Sequence, residues 1–348
     1  MYTMMADSMS NGLFRIAAGV RFLRRCSRRI LYAKWREPGK VIAMKNNKQH
    51  EDNWDLEILA DMAPWEWPED AAETLLAVLR NAQAPEAERL LAAELAGEWV
   101  VINDELAETL LSILCNRDAP DELRGRAAIS LGPVIEQGDI DGFEDPDDVP
   151  ITEENFDRIL ATLLVVFRDA SVGKLVRRQA LEASVRAPQD WHPDAVRAAY
   201  SSGDEEWRVT AVFCMGYLRG FEAQILESLD SKNPDIKYPA VLAAGNWEMD
   251  AAWPHIAALL KSKGTPKNLL LAAIEAAPNI RPEKALDLLA KLLNSKDEEI
   301  RDAVSSAMSL AQEPWDEEEG YEDDEDDEDY EDDDEDEDDE DDEGEPPR

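Results

Sequence analysis

The chain has 348 residues, with 78 Asp or Glu against 36 Lys or Arg, a formal net charge of −42 and a pI near 4.3. That balance opposes direct binding to nucleic-acid backbones, where Lys and Arg must displace counterions, and opposes anionic membrane surfaces for the same reason. Three cysteines without a CxxC pair suit a reducing, cytoplasmic setting without a disulfide framework, and no apolar run reaches the ~18–20 residues of a membrane span.

Residues 1–50 read as a basic N-terminal extension. From Gly12 to Trp35 the segment is rich in Arg and contains no acid. Four readings stay open: an upstream start with Met44 as the initiator, an arm that pairs with the acidic tail, a surface-binding amphipathic helix, or a transit peptide. A secretory signal does not fit, because Arg15, Arg21, Arg24 and Arg25 interrupt every apolar core.

A solenoid domain is expected over residues 51–312. Trp65 and Trp67 precede its first convincing hairpin and suit either an N-terminal cap or a partner anchor. A ten-residue phrase then recurs: apolar, basic, two variable residues, Ala, two variable residues, small, apolar, Gly. It reads LRGRAAISLG from Leu123, WRVTAVFCMG from Trp207 and IKYPAVLAAG from Ile236, with weaker copies from Glu88, Val176, Asn268 and Ile300. Most starts lie about 29–35 residues apart, the period of stacked repeats.

Positions one, five, eight and nine of the phrase share a helical face, and an amphipathic helix precedes each copy. Pro85, Pro120, Pro234 and Pro266 mark helix starts, with Asn233 and Thr265 as candidate N-caps. The phrase-ending Gly (Gly97, Gly132, Gly216, Gly245) fits a close contact or a helix end. Neither helix of a pair can cover its apolar stripe alone, so the hairpins must stack. Cys115 and Cys214 fall on apolar faces and read as buried thiols.

The basic residue at position two (Arg89, Arg124, Arg177, Arg208, Lys237, Arg301) is expected to form a structural ladder pairing with acids of neighbouring repeats. The step from Leu123 to Val176 is about 20 residues too long. The excess reads as an acidic loop, 138–150, in which Gly138, Gly142, Pro146 and Pro150 mark irregular chain and Thr152 caps the next helix. Asp139, Asp141, Asp147 and Asp148 are candidate partner-binding residues there. Beyond Gln312, residues 313–348 are almost wholly acidic. Repulsion between adjacent charges and the lack of apolar side chains predict a disordered tail. Asp323, Asp324, Asp332 and Asp333 are candidate contacts within it for a basic protein.

The phrase resembles the HEAT-repeat superfamily, in particular its bacterial branch of short repeats named after phycobilisome lyases. The pairs Leu123-Arg124, Val176-Arg177, Trp207-Arg208, Ile236-Lys237 and Ile300-Arg301, the following Ala, and the small-apolar-Gly ending carry the resemblance over roughly residues 70–312. It implies a right-handed, all-α solenoid of about seven HEAT-like helical hairpins with a disordered acidic C-terminal tail. Enzymes of the superfamily that hydroxylate deoxyhypusine hold iron with paired His-Glu motifs; here only His50-Glu51 matches, outside the repeats. No catalytic constellation, cofactor or metal site is therefore expected. The expected role is a monomeric, non-enzymatic scaffold for a basic protein partner, with no direct nucleic acid and no integral membrane. A lyase-like enzyme or accessory factor acting on a chromophore or protein, and an assembly chaperone for a basic protein, are the alternatives.

Overall fold

The computed structural model describes residues 55–145 and 148–312. All regular structure among them is helical. A short helix, α1 (Leu56–Asp61), and a 3-10 turn (Pro64–Glu66) lead into two hairpins, α2 (Ala71–Arg80) with α3 (Glu86–Leu95) and α4 (Asp104–Cys115) with α5 (Asp121–Ser130). A single helix follows, α6 (Gly132–Asp141). Five more hairpins complete the array: α7 (Glu153–Arg168) with α8 (Lys174–Ser184), α9 (His192–Ser201) with α10 (Glu205–Cys214), α11 (Glu222–Leu229) with α12 (Pro234–Asn246), α13 (Trp253–Lys261) with α14 (Lys267–Ile280), and α15 (Pro282–Leu289) with α16 (Glu298–Gln312).

Each second helix packs on the second helix of the next hairpin, so α3, α5, α8, α10, α12, α14 and α16 form one continuous row. The residue at position five of the phrase explains why they stack. Ala92, Ala127, Ala180, Ala211, Ala240, Ala272 and Val304 are all fully buried. Small side chains here let helix axes approach, and the apolar stripes of successive hairpins merge into an extended core. This is an α-solenoid of HEAT-like hairpins.

The phrase-ending Gly meets both expectations: Gly97 and Gly216 follow the C-caps of α3 and α10, and Gly97 and Gly245 also stand at close contacts. Gly245 lies inside α12, and a Cβ on it would stand 2.8 Å from Ala276 Cβ. A Cβ on Gly97 would stand 2.6 Å from the Ser130 carbonyl oxygen, closer than packing permits.

Helix starts follow the expected chemistry with shifts. Asn103, Thr152, Asp204 and Asn233 cap α4, α7, α10 and α12 through their side chains. Pro85, Pro120 and Pro266 occupy the N-cap position in extended conformation, one residue earlier than a first-turn Pro. Thr265 is consequently not the cap of α14. It lies outside the helix, and its hydroxyl donates to the Leu259 carbonyl at 2.8 Å.

Two further expectations are corrected. The segment 138–150 is not loop throughout, because α6 continues to Asp141. Gly138 packs rather than turns: a Cβ there would sit 2.8 Å from the Phe143 and Phe156 rings, which meet edge-on at 5.2 Å. Irregular chain begins at Gly142, whose φ of 72° suits glycine. Cys115 is exposed at the last residue of α4, past the packed Leu114, whereas Cys214 is fully buried.

Candidate interaction surface

The repeat arginines turn toward their own hairpins. Arg89 Nη2 donates to the Leu79 carbonyl at 3.3 Å, Arg124 Nε to Leu114 at 3.0 Å, and Arg177 Nε to Phe167 at 2.9 Å. Leu79, Leu114 and Phe167 are the penultimate residues of α2, α4 and α7. The last carbonyls of a helix lack intrahelical donors and carry partial negative charge, so a guanidinium reaching them satisfies both deficits. Arg301 differs: its Nη1 donates at 3.0 Å to the carbonyl of Ser295, in the segment between α15 and α16.

Arg208 departs from the pattern as well. Its Nη2 donates to the Tyr200 hydroxyl at 2.9 Å and to Glu227 at 2.7 Å. Lys237 is half-buried on α12. Pairing with acids of neighbouring repeats is thus not the main bond of Arg89, Arg124, Arg177 or Arg301. For Arg89, Arg124 and Arg177 the tight turn brings the side chain back onto the preceding helix end before it can reach the next repeat.

Other residues link the repeats. Lys174, at the start of α8, meets Asp204 at 3.0 Å and Glu206 at 3.1 Å. Lys267, at the start of α14, meets Asp297 and Glu299 in the same register. Hydrogen bonds from these lysines hold Asp204 and Asp297 below the usual carboxylate range. All three groups of each set face water, so salt screens them.

A buried polar cluster joins α6, α8 and α10. Arg186 Nη1 donates to Glu136 at 2.7 Å, with the side chains only 13% and 9% exposed, and its guanidinium lies 5.7 Å from the Phe213 ring centre. Beside it, Arg178 Nε donates to Thr210 Oγ1 at 2.9 Å, and that hydroxyl donates to Glu182 at 2.5 Å. Burial pushes the Glu182 carboxyl up, against the Thr210 bond and the nearby arginines. Glu136 and Glu182 each accept from a buried donor, so the cluster binds hairpins together and ties in the inserted helix.

His192 is a packed residue. It is fully buried, its Nδ1 accepts from the Gln189 N–H at 2.8 Å, and its Nε2 lies 3.0 Å from Ser184 Oγ. Because Nδ1 accepts, Nε2 is the donor, and the Ser184 hydroxyl passes the chain on to the Leu181 carbonyl. Burial pushes the imidazole down to about 4.

At the N-terminal end of the array, an open groove of about 550 Å³ runs between the 3-10 turn and the stretch joining α3 to α4. Trp65, Trp67, Val100 and Val101 supply its apolar walls, and Glu69 and Glu73 its acidic rim. The tryptophans divide the two roles open to them in the sequence. Trp67 is half-buried against the core and its Nε1 donates to the Leu59 carbonyl at 2.9 Å, which ties the turn to α1. Trp65 is 74% exposed. Val100, 49% exposed, went unnoticed in the sequence, although the run Trp99-Val100-Val101-Ile102 between two helices was the available signal.

Asp139 and Asp141 are exposed at the end of α6, and Asp148 is exposed beyond the loop. Asp147, Asp323, Asp324, Asp332 and Asp333 lie outside the described residues, as do the extension 1–50, the tail 313–348 and His50-Glu51. Among the described residues, no three His, Cys, Asp or Glu side chains are placed to hold a metal ion, and no helix is long and apolar enough to cross a membrane.

No protein-family model and no curated protein matches the chain. Solved structures similar to it include human deoxyhypusine hydroxylase, at 14% identity over 70% of this chain and 85% of that one with a TM-score of 0.35. The YibA protein of Escherichia coli is 13% identical over 77% and 99%, with a TM-score of 0.39. A designed armadillo repeat protein is 14% identical over 68% and 98%, with a TM-score of 0.27. The order and stacking of the hairpins establish the HEAT-like helical repeat architecture.

Proposed function

We propose that the chain is a non-enzymatic, monomeric interaction scaffold of the cytoplasm that presents an acidic solenoid surface and an acidic tail to a basic protein. Charge carries this reading. Residues 55–312 hold about twice as many acidic as basic side chains, and residues 313–348 are almost entirely Asp and Glu. A field of one sign raises the encounter rate with oppositely charged partners and repels nucleic acid. The groups that burial perturbs, His192, Glu182, Cys214 and Tyr238, sit in closed packing rather than in an open cleft, and burial pushes the Cys214 thiol up, away from the reactive thiolate, which supports the non-enzymatic side of the proposal. The finer kinship with the short-repeat branch named after phycobilisome lyases rests on the apolar-basic pairs of the phrase and belongs to the same proposal.

The test is affinity purification from the native cell with the full chain and with residues 1–312, across a salt series. A basic protein recovered at low salt, released at high salt and lost without the tail supports the proposal. Recovery that ignores both salt and the tail overturns it.

A further inference from the structure

We propose that the groove at the N-terminal end of the solenoid is a docking site for the chain's own basic segment, Gly12–Trp35. The groove offers two chemistries side by side: the apolar surface of Trp65 and Val100, and the carboxylates of Glu69 and Glu73. The segment offers the complements of both. It holds six Arg, one Lys and no acid, interleaved with Leu13, Phe14, Ile16 and Phe22.

An exposed indole beside an exposed valine is costly to leave in water. Covering apolar area stabilises by about 25 cal/mol per Å². A volume of about 550 Å³ lies in the range of clefts that hold a small ligand, and so has room for an apolar side chain of the segment. The acidic tail is a rival for the arginines, but it has almost no apolar surface to set against Phe14 or Phe22.

Reach is ample. Nineteen residues lie between Trp35 and Asp55, where the described chain begins, and the steps across them span up to roughly 66–72 Å when extended. A tethered segment meets its site at an effective concentration on the order of millimolar, so weak contacts suffice. The inference concerns the chain alone and stands whether or not an external basic protein binds elsewhere.

Cys26 lies within the segment and provides the probe. The experiment uses the full chain with Cys115→Ser, combined with either Glu66→Cys on the 3-10 turn beside the groove or Asp302→Cys on α16, both exposed positions. A short bismaleimide is added, and products are resolved on denaturing gels and by peptide mass spectrometry. The expected result is an intramolecular cross-link from Cys26 to the groove thiol at least about tenfold faster than to the α16 thiol. Adding Trp65→Ala, or raising salt, should slow the groove reaction alone. Equal rates at the two positions, cross-links only between two copies, or a groove rate indifferent to Trp65→Ala would overturn the proposal.

Discussion

His192 offers a quantitative test of the packing between the third and fourth hairpins. In the unfolded chain its imidazole takes a proton near pH 6.5; in the fold, burial moves this to about 4. Protonating Nδ1 would also break its bond from the Gln189 N–H. Between the two values the unfolded chain binds a proton that the folded chain refuses, so acid favours unfolding. The contribution is fully present above pH 6.5 and is lost as the pH falls toward 4. Linkage gives a loss of about 2 kcal/mol between pH 7 and pH 5, and about 3 kcal/mol by pH 4. The assay is urea unfolding of the wild type and His192→Gln at pH 7 and pH 5, with amide exchange in α8 and α9 as the local readout. Gln cannot titrate, so the wild type should lose about 2 kcal/mol more than the variant over this interval. Carboxylates such as Glu182 shift both chains alike and cancel. Equal losses in the two chains, or a titration of His192 near pH 6.5 by NMR, would refute the reasoning.

Arg124→Met should lower stability by about 1.5–3 kcal/mol, the value of a hydrogen bond from a charged donor to a buried acceptor, since the Leu114 carbonyl loses its partner; thermal melts read this. Arg186→Met leaves Glu136 buried without its cation and should cost about 3–5 kcal/mol, while the double variant with Glu136→Leu recovers much of it in a double-mutant cycle. Gly97→Ala and Gly245→Ala should each destabilise by about 1–3 kcal/mol, because the neighbouring hairpin leaves no room for a methyl group; an unchanged melting temperature would contradict the close contact. Trp65→Ala should leave the melt unchanged within about 0.5 kcal/mol, whereas Trp67→Ala, which removes a packed ring and the bond to Leu59, should lower it clearly.

Helices and their stacking were legible in the sequence because both follow from local periodicity. The face made by Leu123, Ala127, Ser130 and Leu131 is set by helical spacing, and each of these residues is buried. A stripe that one hairpin cannot cover requires a neighbour, so the repeat period alone determined the solenoid. The overlong step after Gly132 located the insertion in the same way.

Contacts between distant residues were decided only by the tertiary structure. Arg124 was visible as a recurring cation, but its acceptor is a backbone carbonyl, and carbonyls leave no mark on a sequence. Glu136 and Arg186 stand 50 residues apart and meet only because α6 folds back on α8. Gly138 reads as a turn in one dimension, yet in three it is the space that Phe143 and Phe156 need. Trp65 and Trp67 are two residues apart in one short motif. The packing of α1 and α3 buries one against the core and leaves the other facing water, so which of them is structural and which is available to a ligand was a matter of tertiary geometry alone.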